Sequence, residues 1–125
     1  MKKILAASLL LPFLAFKCKK SGQDTFLEGR VVRITCADFV VQVLNNDNIG
    51  DDSWNDVTIN NNIAIDNVFV VSNACTLSSD IKKVGNIVRF KIDQSGKNNC
   101  VVCMIYDAPP KTAYDIKEVS LVQGK

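Results

Sequence analysis

The chain contains no histidine. That removes Ser-His-Asp and Cys-His catalysis, His-ligated metal sites and a histidine pH switch, because each needs an imidazole to carry a proton near neutral pH or to bind metal. Glycine is scarce and scattered, six residues in all, so neither a phosphate-cradling loop nor a dinucleotide fingerprint is present. No apolar run reaches the ~20 residues that a helix needs to cross a bilayer. There is no internal repeat. What is present is a chain of 125 residues, 47% hydrophobic and 22% charged. This is the length of one small domain, and it is too apolar and too weakly charged to stay disordered.

The first residues read as an address. Met1-Lys2-Lys3 is a basic start, Ile4 to Phe16 is apolar and uncharged, and Lys17-Cys18-Lys19-Lys20 ends the run. A charged segment followed by a short apolar one is the pattern of a secretory signal. The cysteine directly after it, in Ala15-Phe16-Lys17-Cys18, resembles a bacterial lipoprotein signal, with Lys17 where that family carries a small residue. The resemblance implies cleavage before Cys18 and lipid attachment to its sulfur. It also implies a division into a signal peptide at 1–17, a lipid-bearing tether at 18–26 and a single domain at 27–125. Several acyl chains on one cysteine would hold the protein at a membrane. Lys19 is not the aspartate retention signal of some lipoproteins, which favours the outer membrane.

Export alters the charge balance. Without residues 1–17 the chain keeps 12 basic and 13 acidic groups. A domain so near neutrality lacks the cationic excess behind non-specific nucleic-acid affinity, so no nucleic-acid partner is expected.

With Cys18 acylated, four cysteines remain: Cys36, Cys75, Cys100 and Cys103. An oxidising compartment favours disulfides, and three connectivities are open. If Val101-Val102 lies in a strand, Cys100 and Cys103 stand ~10 Å apart at ~3.3 Å per residue. That is beyond the ~7 Å that a bridge tolerates. The expectation is long-range bridges joining Cys36 and Cys75 to Cys100 and Cys103, or a single bridge with two buried thiols. The alternatives are a redox pair or a metal site using Cys100 and Cys103. The flanks of this C-x-x-C do not read as a helix start, and a second knuckle is missing.

Leu27 to Cys36 alternates, with Val32, Ile34 and Cys36 on one face. Phe39 to Leu44 alternates after a short turn, and the two runs read as a hairpin. Asn45 to Asn62 is the longest polar stretch, with seven asparagines. A loop of this length is usually functional or mobile, so Asp47, Asp51, Asp52, Trp54 and Asp56 form a candidate binding loop; Trp54 could equally plug the core. A calcium-loop match starting at Asn45 is partial, with Asp56 where a bidentate glutamate belongs.

Ile63 to Val71 is a third strand region. Leu77, Ile81 and Val84 follow helical spacing within Thr76 to Val84. Asn86 to Ile92 alternates most clearly, with Val88, Phe90 and Ile92 on one face. Cys100 to Tyr106 reads as a buried strand, Asp107-Ala108-Pro109-Pro110 breaks it, and Ile116 to Val122 is a final strand or helical turn. Phe39, Phe69 and Phe90 are expected in the core. Arg30, Arg33, Arg89 and Lys91 fall on an outer strand face, where basic residues usually serve solvation and edge protection.

In order, these elements are a hairpin, a third strand, a short helix and further strands. That order resembles an OB-fold barrel of five or six strands with a helix between the third and fourth. Val84-Gly85-Asn86-Ile87-Val88-Arg89-Phe90 is similar to the approach to the fourth strand in many such barrels. A β-sandwich is the alternative. The expected role is a monomeric, non-catalytic binding module, without cofactor or metal, whose partner is an envelope protein, peptide or glycan. A structural envelope component is the other reading.

Overall fold

The computed structural model describes residues 25–59, 62–95 and 100–123 of the chain. The proposed signal peptide, Cys18 and most of the tether lie outside the described residues. Seven strands form: β1 (Leu27–Ile34), β2 (Phe39–Val43), β3 (Trp54–Asn55), β4 (Ala64–Ile65), β5 (Val68–Val71), β6 (Ile87–Asp93) and β7 (Ala113–Gln123). Five of them close a barrel in the order β1-β2-β5-β7-β6, with β6 pairing back onto β1. Only the β5–β7 seam is parallel. This is an OB-fold-like all-β barrel, as the element order suggested.

The interior follows from alternation. Leu27 and Val31 of β1, Phe39, Val41 and Val43 of β2, Phe69 and Val71 of β5, Val88, Phe90 and Ile92 of β6, and Ile116 of β7 share one buried cluster. Phe69 is its centre, with ring centroids 5.8 Å from Phe90 and 5.3 Å from Tyr114. Such tilted and edge-on ring contacts suit the aromatic quadrupole. Gly29 lies where β2 and β6 side chains close in on β1. A Cβ there would overlap Val41 Cγ1 and sit 3.0 Å from Phe90 Cε1.

Three expectations change. First, Val32, Ile34 and Cys36 do not face the core. Leu27, Gly29 and Val31 take the inward positions, so Val32 packs in an outer layer; a bulge between Val31 and Arg33 then sets Arg33 opposite outward Val40, and Ile34 and Cys36 are exposed. Second, the helix over 76–84 is a 3-10 turn at Ala74–Thr76 followed by further turns. Its bonds are local, such as Ile81 N–H to Ser78 C=O and Lys82 N–H to Ser79 C=O. Of the supposed apolar face only Ile81 is buried, and Val84 is exposed. A helix without a continuous face to bury has little to hold it. Third, Cys100 to Tyr106 is not a barrel strand. The fifth barrel strand is β7, which contains the expected Ile116 to Val122.

The long polar stretch is folded back. β3 and β4 pair as a small hairpin, and Trp54 and Ile65 pack with Val40, Val68, Val70 and Val32 on the outer side of β1, β2 and β5. Gly50 makes the turn that brings this segment to β5. Its φ is +91°, and a Cβ would meet the Val68 carbonyl oxygen at 2.6 Å, so only glycine fits. OB barrels commonly use the outer face of their second and third strands for ligands. Here that face carries the chain's own loop.

Candidate interaction surface

Residues 100–110 run without a turn or bend across one end of the barrel. This segment, the strap, is fixed by two disulfides. Cys36–Cys103 has a Cα separation of 5.5 Å and Cys75–Cys100 one of 5.6 Å. The long-range pairing expected from the sequence is therefore found. The premise of a strand at Val101-Val102 does not hold, since no strand forms there, although the chain has no turn or bend between Cys100 and Cys103. The two cysteines of C-x-x-C bond to different partners.

The far end of the strap is locked by a buried charge cluster. Arg33 Nε and Nη2 donate to both carboxylate oxygens of Asp38, at 3.0 and 2.8 Å. Its Nη1 donates to Asp56 Oδ1 and to the Asp107 carbonyl oxygen, each at 3.0 Å. Asp107 Oδ1 lies 3.4 Å from Nη2, and Thr35 Oγ1 donates to Asp107 Oδ2 at 3.1 Å. The guanidinium stacks on Trp54, 4.8 Å from the ring centroid, and Trp54 Nε1 donates to the Ala108 carbonyl at 2.9 Å. One cation thus joins β1, the turn before β2, the folded-back loop and the strap.

The cluster is electrostatically tense. Burial opposes the Arg33 charge, but hydrogen bonds to Asp38 and Asp56 outweigh it and hold the guanidinium pKa above its ordinary value. Burial pushes the Asp38 carboxyl up, and Asp107 adds to this against the pull of Arg33. For Asp56, burial is outweighed by hydrogen bonds from Thr58 and Arg33, and its pKa falls.

The candidate binding loop is mostly framework. Trp54 plugs the outer layer, and Asp56 faces Arg33. Asp51 accepts bonds from the Thr112 hydroxyl and the Lys111 and Thr112 amides, and these hold its carboxyl below the ordinary value against burial. Asp52 is exposed and accepts the Asn67 amide at 3.3 Å. Asp47 is exposed. The calcium match does not assemble, since Asn45 Oδ1 accepts the Glu28 amide at 3.0 Å while Asp56 is turned inward. Among the described residues no three His, Cys, Asp or Glu side chains are grouped to hold a metal. No helix among them is long and apolar enough to cross a membrane.

Arg30 and Arg89 are exposed as expected, and Arg89 and Lys91 sit over the Phe26 ring at 3.8 and 4.5 Å. Arg33 is the exception on that face. Its signal in the sequence is an arginine enclosed by Val31-Val32 and Ile34, a setting with little water to solvate it.

The apolar side chains of the strap point outward. Val101 is 95% exposed, Met104 99% and Tyr106 94%, with Val102 and Ile105 at 55% and 51%. Together they leave a largely apolar segment open to water. Beneath the strap, between the two bridges, lies a cleft of about 180 Å³. Neither a known protein-family model nor a curated protein matches the chain.

Proposed function

We propose that this protein is an exported, lipid-anchored interaction module that holds the strap rigid for an envelope partner and does no chemistry of its own. The observation that carries this reading is the exposure of Val101, Met104 and Tyr106 on a segment pinned at both ends. Apolar side chains displayed so openly cost solubility unless something covers them. Fixing them beforehand lowers the entropy lost on binding.

The two disulfides suit an oxidising compartment outside the cytoplasm, which agrees with the signal pattern. β1 starts just after the tether, and the turn that follows it carries Cys36, the partner of Cys103.

Two measurements test the reading. Intact mass of the envelope-purified protein should equal residues 18–125 with a triacyl group and no free thiol. A photo-reactive residue at position 104 should capture an envelope protein in living cells, whereas one at exposed Asp80 should not. A mass retaining residues 1–17, or identical capture from both positions, would refute the module.

A further inference from the structure

We infer that the partner of the strap is an extended peptide segment that adds as a strand, seats one apolar side chain in the cleft and sets a carboxylate on Lys82. This rests on the proposed role as a binding module and names the chemistry of what is bound.

The backbone supplies the first argument. Val101, Val102, Met104, Ile105 and Tyr106 make no backbone hydrogen bond among the described residues. The Cys103 amide donates to the Cys36 carbonyl at 3.3 Å. In an unbent chain, successive amides point to opposite sides. The N–H and C=O groups of Val102, Met104 and Tyr106 therefore line the edge turned away from the barrel. A lipid surface lacks such donors, and a glycan's hydroxyls do not follow the strand repeat of this edge. Another backbone does, in the manner of β-augmentation.

The cleft supplies the second. Ile34, Phe39, Val71, Ala74 and Val101 line it with Cys36, Cys75 and Cys100; Thr35, Asp38 and Ser72 are its polar lining, and Lys82 is its one cation. At about 180 Å³ it is smaller than the ~300–1,000 Å³ of small-molecule sites. It is close to the ~150 Å³ apolar cavity that holds a benzene ring. One aromatic or large aliphatic side chain fits, as a buried anchor does at the centre of an interface. Lys82 is half-buried, so an acidic residue beside the anchor gains a charge-assisted bond there.

The test uses the full-length protein in detergent, panned against a display library of random linear nonapeptides. The expected winners carry Phe, Leu, Ile or Met within a β-branched run, with Asp or Glu close by. For the best synthetic nonapeptide, N-methylation of the amides on one edge should weaken binding by about tenfold or more, and on the other edge should not. Lys82→Glu should weaken it similarly, and replacing the peptide acid by lysine should restore it. Unchanged Trp54 fluorescence checks that the variant is folded. Lack of enrichment, insensitivity to N-methylation, or indifference to Lys82→Glu would each overturn the inference. If position 104 captures an envelope protein while no peptide is enriched, the partner presents a folded surface, and this inference fails while the module stands. Capture of only a second copy of the chain would also overturn it.

Discussion

Replacing Arg33 by methionine tests the account of the buried cluster most directly. Methionine keeps much of the length and can still lie on Trp54, but it removes four hydrogen bonds donated to Asp38, Asp56 and the Asp107 carbonyl. It leaves three buried carboxylates without their cation. Breaking a buried pair by removing one partner costs about 3–5 kcal/mol, a large share of the roughly 5–15 kcal/mol that a domain has. The loss should depend on pH. In the variant a buried carboxyl folds best when protonated, whereas in the unfolded chain it ionises near 3.8. The folded state then binds more protons, so stability rises as pH falls. Each proton taken up on folding is worth at most about 1.4 kcal/mol per pH unit, so part of the deficit should be recovered between pH 7 and pH 5. Urea unfolding followed by Trp54 fluorescence at pH 5, 6 and 7 measures this, and Trp54 is the one tryptophan in the chain. Arg33→Met combined with Asp38→Asn and Asp107→Asn should regain most of the loss. A deficit below about 1 kcal/mol, or one equal at pH 5 and pH 7, would refute the argument.

Three further outcomes follow from other parts of the molecule. Removing Cys36–Cys103, which closes 67 residues, should cost about 4 kcal/mol, and removing Cys75–Cys100, which closes 25, about 3.5 kcal/mol; denaturant unfolding of the paired serine variants gives the order, and a reversed order would contradict the loop-closure account. Gly50→Ala should cost more than about 2 kcal/mol, since it combines a left-handed backbone with a collision at the Val68 carbonyl; a neutral effect in thermal unfolding would count against the described turn. Asp51 and Asp56 have depressed pKa values, so their stabilisation is present above about 3.8 and is lost as pH falls through their folded values; the stability gap between wild type and Asp51→Asn should close in acid, and a constant gap down to pH 2 would show that Asp51 titrates normally.

Strands buried on one face were readable because alternation reports a single wet side. Val88, Phe90 and Ile92, and Phe39, Val41 and Val43, are inside as their spacing implies. In β1 the bulge before Arg33 shifts the phase, and no residue pattern announces it. The strap looked like a core strand because Val101 to Tyr106 is as apolar as one. Period alone does not tell a covered strand from an uncovered one held by bridges. β7 was legible only in part. Asp115, Lys117, Glu118 and Ser120 dilute its alternation, and Glu118 adopts φ +52° at a second irregularity opposite β6. Of the acids in the candidate loop, Asp51 and Asp56 serve the frame, which residue type alone does not tell. Asp38 and Asp107, which complete the cluster, lie 69 residues apart in the chain, and only the closed fold brings them to one guanidinium.

The parallel seam has a consequence for how the protein is made. β7 supplies both the β5 and the β6 contacts that close the ring. Until residues 113–123 have left the ribosome, β5 and β6 each keep a bare edge, and no ring of strands resists being pulled straight. The β1–β2, β2–β5 and β1–β6 pairings can form earlier, and the ring closes only when β7 docks between β5 and β6.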